Sequence, residues 1–208
     1  MTIHRFLLLL PLWLALLAGC ATRGGGSIAN TDFNAHRDAV LAKTDWQLDG
    51  RLNVRQPNQS DTVNLNWTQQ AQNFDITLSS TVLGLGTTRV SGNDSGLVLA
   101  KAGEVPVTLP NLQALTHDYL NFEFPAANLL YWVRGLPVPG AAATTGFDSN
   151  NLLVTLTQRD TSGRRWQLTY DRYAVVDGFP MPGRIRLAAD DLQLTFLVRE
   201  WRFGPPSL

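Results

Sequence analysis

The chain has 208 residues, with 17 Lys and Arg against 17 Asp and Glu, and 44% of its residues are apolar. This length and composition fit one globular domain with its own core and leave no room for a second domain of ordinary size. The balanced charge contains no basic block, which argues against a nucleic-acid-binding protein, because phosphate binding needs clustered Lys and Arg. The single cysteine, Cys20, excludes an internal disulfide and a cysteine-based zinc cluster.

The N-terminal segment has the pattern of a secretory signal. His4 and Arg5 precede an apolar run from Phe6 to Leu17, and the sequence then continues with small residues. The run is too short for a helix that spans a bilayer, which needs about 20 apolar residues, so a permanent membrane helix is the weaker alternative. We interpret residues 1–19 as a signal peptide.

The signal ends in Leu17-Ala18-Gly19-Cys20, which resembles the lipobox of bacterial lipoproteins. That resemblance implies that Cys20 becomes the mature N-terminus and is acylated, which attaches the protein to membrane lipid. Residue 21 is Ala, whereas lipoproteins retained in the inner membrane typically carry Asp there, so the implied location is the periplasmic face of the outer membrane. Residues 20–30, with three consecutive glycines, are interpreted as the lipidated N-terminus and a flexible tether.

Residues 31–208 are predicted to form a single, mainly β domain. Thr31 or Asp32 is expected to cap a helix that runs to about Lys43. From Trp46 onward, apolar residues alternate with a period of two, which predicts antiparallel strands with one face on a core. The alternating segments are 46–54, 63–67, 74–78, 88–90, 97–99 and 105–107.

The second half of the domain contains a predicted helix followed by further strands. Pro125 is expected to open a helix that ends at Gly135, and residues 136–149 are interpreted as a loop rich in Gly, Ala and Thr. Strands are then predicted at 152–156, 166–170, 185–187 and 192–198. Trp201 falls one residue out of the last alternation, so either a bulge turns it to the same face or it lies on the other face.

The sequence contains no recognisable constellation of catalytic residues. His36 stands alone in the first predicted helix, and His117 stands alone in a further possible helix that Asn111 would cap. Both are typical of surface or helix-end histidines. Asp190-Asp191 lies between two predicted strands and is interpreted as a solvated turn rather than a metal or acid–base pair. We therefore expect a protein that is not an enzyme and that binds no metal and no cofactor.

Several short patterns recur through the chain around its large aromatic residues. They are Trp46-Gln47-Leu48-Asp49-Gly50-Arg51, Leu83-Gly84, Trp132-Val133-Arg134-Gly135-Leu136-Pro137, Trp166-Gln167-Leu168-Thr169-Tyr170, and Leu192-Gln193-Leu194 leading to Trp201. Each pattern is loose by itself, but their order and spacing, together with the lipobox, resemble the LolB family of outer-membrane lipoprotein receptors over nearly the whole mature chain.

The resemblance implies an incomplete antiparallel β-barrel, with a few short helices closing its open side around an apolar cavity. It also implies a protein that accepts acylated lipoproteins from the periplasmic carrier LolA and inserts them into the outer membrane. The expected partners are LolA, the lipoprotein cargo and outer-membrane lipid, which is reached through the acylated Cys20. We expect a monomer that binds no nucleic acid.

The residues nominated for acyl-chain binding are the five tryptophans of the mature chain: Trp46, Trp67, Trp132, Trp166 and Trp201. For any single ring, an ordinary packed core is the favoured alternative. Five large rings on inward positions of one sheet favour a cavity wall.

The segment from Ser79 to Gly86 places apolar residues in the connection between two predicted strands. Apolar side chains at a loop tip are costly unless something covers them, and a loop folded back on the sheet is the alternative. By the family resemblance, Leu83 is the exposed leucine of a membrane-delivery loop. Leu85 departs from the family pattern, so which of the two leucines projects stays open.

Two other functions are compatible with the same patterns. A lipocalin-like periplasmic protein would bind a different hydrophobic ligand, and an envelope assembly scaffold would have only a packed core. Dependence on the carrier separates a receptor from the first alternative, and the absence of a cavity would favour the second.

Overall fold

The computed structural model of the chain describes residues 28, 30–80, 86–93, 95–112, 114–115 and 125–206. Cys20, Leu83 and Leu85 lie outside these residues. None of the helices in the described part is long and apolar enough to cross a bilayer.

Most of the described chain belongs to one antiparallel sheet. The strands are β1 (Asp45–Gln56), β2 (Gln59–Gln70), β3 (Asn73–Ser80), β4 (Gly86–Asn93), β5 (Gly96–Lys101), β6 (Val107–Leu109), β7 (Ala143–Phe147), β8 (Leu153–Arg159), β9 (Arg165–Asp171), β10 (Ala174–Val176), β11 (Phe179–Met181), β12 (Arg184–Ala189) and β13 (Leu192–Phe203). Eleven of them pair in the order β6-β5-β4-β3-β2-β1-β13-β12-β9-β8-β7, and β10 and β11 form a separate hairpin. The large sheet ends at β6 and β7 and does not close into a barrel. The predicted fold class, a mainly β and incompletely closed antiparallel barrel, is confirmed.

The predicted period of two buries one face of the sheet. In β1, Trp46, Leu48 and Leu52 are buried, whereas Arg51 and Arg55 are exposed, because successive side chains of a strand point to opposite faces. The neighbouring strands continue the pattern and give one apolar surface, which we call the inner face. Its buried residues include Trp46, Leu48, Leu52, Leu65, Trp67, Phe74, Val90, Leu97, Leu99, Leu109, Leu156, Trp166, Leu168, Tyr170, Ile185, Leu187, Leu194, Phe196 and Trp201.

A β-bulge between β1 and β13 returns Trp201 to the inner face. The register of the two strands shifts between Asp49 and Gly50, which leaves Arg199 as an additional residue on β13. Trp201 then pairs with Leu48 and is buried. Of the two alternatives left open by the sequence, the bulge is the correct one.

Gly50 allows the two strands to approach each other at this bulge. A Cβ atom on Gly50 would lie 2.3 Å from the carbonyl oxygen of Leu197 and 3.0 Å from the Cα atom of Val198. Both are backbone atoms, so rotation of a side chain cannot make room for a larger residue. On the other side of the sheet, Arg199 Nε donates to Asp49 Oδ1 at 2.8 Å, which pairs the additional residue with a neighbouring strand.

Helix α1 spans Phe33–Leu41 and begins at one of the two predicted caps. The carboxylate of Asp32 accepts hydrogen bonds from the backbone N–H groups of Asn34 and Ala35, at 3.0 and 3.2 Å. Val40, near the other end, is fully buried. The cap therefore fixes where the helix starts, and Val40 packs the other end of the helix on the core.

Helix α2 spans Ala126–Trp132, within the predicted bounds. It begins directly after Pro125, and the chain turns away at Gly135, whose φ of 75° favours glycine. Leu129 and Trp132 are buried, which places one side of α2 against the interior of the domain.

Two of the predictions are wrong. The segment 136–149 was expected to be a loop, but it contains strand β7. The sequence of β7, Ala-Thr-Thr-Gly-Phe, has no alternating large apolar residues, because β7 is an exposed strand at the edge of the sheet. Strand β6 starts at Val107, and Val105, which was expected to belong to it, is 86% exposed. Short edge strands bury little, so hydrophobic alternation locates them poorly.

Arg134, just after α2, joins this helix to the end of α1. Its guanidinium donates hydrogen bonds to the backbone carbonyls of Leu130 at 2.9 Å, Val40 at 3.2 Å and Lys43 at 3.4 Å. The guanidinium carbon also lies 5.5 Å from the ring centre of Trp46. Burial lowers the pKa of Arg134 to about 10, so the group is still charged at neutral pH.

Replacement of Gly50 by alanine is expected to destabilise the domain by about 1 to 3 kcal/mol, because the added Cβ atom collides with backbone. Urea unfolding of the Gly50→Ala variant measures this change. The control is Arg51→Ala, at the exposed neighbouring position, which should change stability by less than about 0.5 kcal/mol. Equal stability of the two variants would contradict the close approach.

Replacement of Arg134 by lysine is expected to lower stability by about 1 to 3 kcal/mol, since one ammonium group cannot replace a guanidinium that reaches three carbonyls. Thermal unfolding of Arg134→Lys measures the loss. The matched control is Arg159→Lys, because Arg159 is exposed and bonds the single carbonyl of Gly163. A similar, small effect at both positions would mean that Arg134 does not hold the two helices together.

Candidate functional site

Three of the nominated tryptophans form a cluster on the central strands of the inner face. The ring centre of Trp46 lies 5.1 Å from that of Trp67 and 5.7 Å from that of Trp201. The indole N–H of Trp67 donates to Gln69 Oε1 at 3.2 Å, and that of Trp201 donates to the carbonyl of Pro182 at 3.0 Å. These hydrogen bonds fix the orientation of two of the three rings.

The other two tryptophans form a second cluster where α2 meets β9. The ring centres of Trp132 and Trp166 are 5.9 Å apart. Trp166 Nε1 donates to Asp160 Oδ2 at 2.9 Å, and the guanidinium of Arg164 lies 5.3 Å from the ring centre of Trp166. This contact between a helix residue and a strand residue packs α2 on the inner face.

Gln158, a buried residue of β8, anchors α2 and the segment after it. Its Oε1 accepts hydrogen bonds from Trp132 Nε1 at 2.8 Å and from the backbone N–H of Val138 at 2.9 Å. Its Nε2 donates to the carbonyls of Val138 and Ala141, at 3.0 and 3.1 Å. Sequence reasoning did not find this residue, although a polar side chain two positions after Leu156 on an alternating strand was a signal for it.

Two tyrosines near the second cluster differ in how their hydroxyl groups are satisfied. Tyr173 Oη donates to the carbonyl of Leu153 at 2.7 Å. Tyr170 Oη is buried and has no hydrogen-bond partner within the described part of the chain. A buried polar group left in this way costs about 1 to 3 kcal/mol. Burial, with a smaller contribution from Tyr173, raises the pKa of Tyr170 well above its ordinary value, so the hydroxyl keeps its proton.

The structure brings all five nominated tryptophans into the interior, where each is at most 6% exposed. It divides them into the two clusters described above. In each cluster the rings contact one another, as they do in a packed core. Their role in lining an acyl-chain cavity stays a prediction.

Two open grooves lie at the surface, and none of the five tryptophans lines either of them. The first, of about 340 Å³, lies between the hairpin loop at residues 56–59 and residues 191–192. The second, of about 760 Å³, lies beside the start of α1, where the rings of Phe33 and Phe147 are 4.8 Å apart. The tryptophans of the inner face are buried, whereas these grooves face solvent.

The remaining nominated residues are Cys20, Leu83 and Leu85, outside the described part. The last pair of the β3–β4 ladder is Ser80 with Gly86, so residues 81–85 form the connection between these strands. Across the described residues, no group of His, Cys, Asp or Glu side chains is arranged to hold a metal ion.

Comparison with protein families identifies relatives over most of the chain. The family model described as Outer membrane lipoprotein LolB matches residues 44–201. The chain is 36% identical, over 200 residues, to the outer-membrane lipoprotein LolB of Stutzerimonas stutzeri (strain A1501), with 94% of both proteins covered. It is 33% identical, over 195 residues, to that of Pseudomonas aeruginosa (strain LESB58), with 91% of this chain and 92% of the relative covered.

Solved structures with low sequence identity share the fold. A LolA superfamily protein from Nitrosomonas europaea aligns with a TM-score of 0.50 and 13% identity, covering 82% of this chain and 94% of that one. A DUF1329 family protein from Desulfovibrio piger aligns with a TM-score of 0.57 and 8% identity, covering 83% of this chain and 91% of that one. The family match spans well over half of the sequence, and the chain belongs to the LolB family of outer-membrane lipoproteins.

Proposed function

We propose that this outer-membrane lipoprotein is a receptor that accepts acylated lipoproteins from the periplasmic carrier LolA and inserts them into the outer membrane. During the transfer, the acyl chains of the cargo lie against the inner face, beneath α2. The observation that carries the proposal is the continuous apolar inner face of a sheet that stays open at β6 and β7, in a chain of the LolB family.

The inner face offers an acyl chain the apolar surroundings that the chain loses when it leaves a membrane. Each methylene group kept out of water is worth about 0.8 kcal/mol, so a lipoprotein cannot cross an aqueous space with its chains exposed. Aromatic and aliphatic side chains from both halves of the sheet form one core cluster, which offers a hydrocarbon surface several strands wide. The hydrogen bonds of Trp67, Trp166 and Trp201 hold these rings in place as parts of a wall.

Cargo has to open the interior, because Trp132 and Trp166 are fully buried in this structure. Helix α2 is the element we expect to move. It has only seven residues, of which Ala127 is exposed and Leu130 and Tyr131 are half-buried. Its displacement would uncover the second tryptophan cluster while the hydrogen-bonded ladder of the sheet stays intact.

Contact between an acyl chain and the tryptophans is expected to quench their emission. The test uses the mature chain from residue 20 with Cys20→Ala, which has no acyl anchor to compete with the probe. Titration with brominated palmitate, a quencher that acts at short range, should reduce the emission, and unbrominated palmitate reports any change of conformation. Emission that stays constant throughout the titration would contradict the proposal and favour a protein with only a packed core.

The connection between β3 and β4 is the part we expect to enter the inner leaflet. A leucine buried in lipid contributes about 1.5 to 3 kcal/mol, enough to shift a docking equilibrium by one to two orders of magnitude. Leu83→Glu should therefore accept cargo from LolA normally and release it to the bilayer at least about tenfold more slowly. A two-step assay, from LolA to this protein and from this protein to liposomes, measures both rates.

Two further variants make this assay specific. Leu85→Glu reports whether the second leucine shares the role. Leu197→Glu is the matched control, because Leu197 is 38% exposed on the opposite face of β13 from the inner face and should affect neither step. Equal losses in both steps for Leu83→Glu would make the loop structural. Acceptance of free fatty acid but not of LolA-bound cargo by the unmodified protein would favour a lipocalin-like binding protein instead.

A further inference from the structure

The hydroxyl of Tyr170 is the polar group that the interior leaves without a partner. Other polar side chains of the interior are satisfied: Gln158 makes four hydrogen bonds, and Tyr173, only three residues away, bonds the carbonyl of Leu153. Within the described residues, the unpartnered buried side-chain polar atom is Tyr170 Oη. A phenylalanine would fill the same space without the cost of an unsatisfied buried hydroxyl. The hydroxyl therefore points to a hydrogen-bond partner that the empty domain does not contain.

Tyr170 lies on the inner face, on β9, the third strand from the β7 edge of the sheet. It pairs with Ile185 on β12, which in turn pairs with Phe196 on β13, so hydrocarbon side chains continue its row across the sheet. Leu168, on the same strand and face, is also buried. A ligand that lies along this row would meet hydrocarbon side chains and the free O–H group of Tyr170, whereas the nearby hydroxyl of Tyr173 is already bonded to Leu153.

We propose that Tyr170 Oη donates a hydrogen bond to the ester or amide carbonyl oxygen of an acylated lipid held on the inner face. This inference rests on the proposed function and adds to it a group that recognises the linkage of the acyl chain rather than the chain itself. The hydroxyl keeps its proton at physiological pH, because burial raises the pKa of Tyr170, so it serves as a donor.

The chemistry of the surroundings favours a neutral carbonyl over other acceptors. A phosphate or carboxylate would bring a charge into a row of hydrocarbon side chains, where an unpaired charge is far more costly than a neutral dipole. The buried cation of the domain, Arg134, already donates to three backbone carbonyls. A buried water needs two to four polar partners. The ladder neighbour Ile185 provides no side-chain polar atom, and the hydroxyl of Tyr173 already donates to the carbonyl of Leu153.

The substitution Tyr170→Phe tests this role, because it removes the hydroxyl and keeps the ring. The mature chain with Cys20→Ala is titrated by calorimetry with dioctanoylglycerol, which has two ester carbonyls, and with its dioctyl ether analogue, which has none. Tyr170→Phe should weaken binding of the ester by about 3- to 10-fold and leave binding of the ether unchanged. The melting temperature of the empty variant should equal or exceed that of the unmodified protein.

Tyr173→Phe is the matched control, since it removes a hydroxyl that already has a partner. It should lower the melting temperature and leave the preference for the ester over the ether unchanged. Equal weakening of both ligands by Tyr170→Phe, or a lower melting temperature of that variant, would overturn the inference, because the hydroxyl would then be structural or hydrated. If Tyr170→Phe binds both ligands and keeps the preference for the ester, the inference is overturned and the proposed function stands. Failure of the unmodified protein to bind either ligand overturns the proposed function with it.

Discussion

The pairing of β1 with β13, which we call the seam, joins the two halves of the large sheet. Strands β2 to β6 continue the large sheet on the β1 side of this pair, and β12, β9, β8 and β7 continue it on the β13 side. Gly50 admits the backbone of β13 at this seam, and the bulge returns Trp201 to contact with Trp46. One apolar inner face results instead of two separate ones.

The helices are attached to this face by buried apolar residues, Val40 of α1 and Leu129 and Trp132 of α2, and by a few directional contacts at their ends. Trp132, the last residue of α2, donates to Gln158, and Arg134 donates to the carbonyls of Val40 in α1 and of Lys43 just after it. These hydrogen bonds define one closed position for α2. In the proposed function, a helix of only seven residues leaves this position when cargo loads and returns to it afterwards.

Much of the fold was predictable because hydrophobic alternation is local. Trp46, Leu48 and Leu52 already show which side of β1 is buried, and Asp32 marks the start of α1. The facing of Trp201 was not predictable, because it depends on a register shift against a strand about 150 residues earlier in the chain, at Gly50. Strand β7 was missed for a related reason: an edge strand that pairs on one side and buries little has no apolar period.

The tryptophans of the candidate site were found from the sequence because large aromatic residues at inward strand positions stand out. Gln158, Arg134 and Tyr170 were not found, since what distinguishes them is the presence or absence of partners far away in the chain. Whether a buried polar side chain is anchored or left free is a property of the tertiary structure. The residues with the most specific chemistry in the interior were therefore the least visible ones.

Release to the membrane limits how tightly the interior can hold cargo. With the acyl chains on the inner face, each methylene gains about 0.8 kcal/mol both in the protein and in the bilayer, so this contribution nearly cancels on transfer. What remains is the free energy that the protein gives up on loading, which includes the packing of Trp132 on Trp166 and the hydrogen bond of Trp132 to Gln158. In the proposed function these contacts re-form when cargo leaves. The interactions that close the empty interior would then favour delivery, and transfer into the membrane would run downhill without a coupled source of energy.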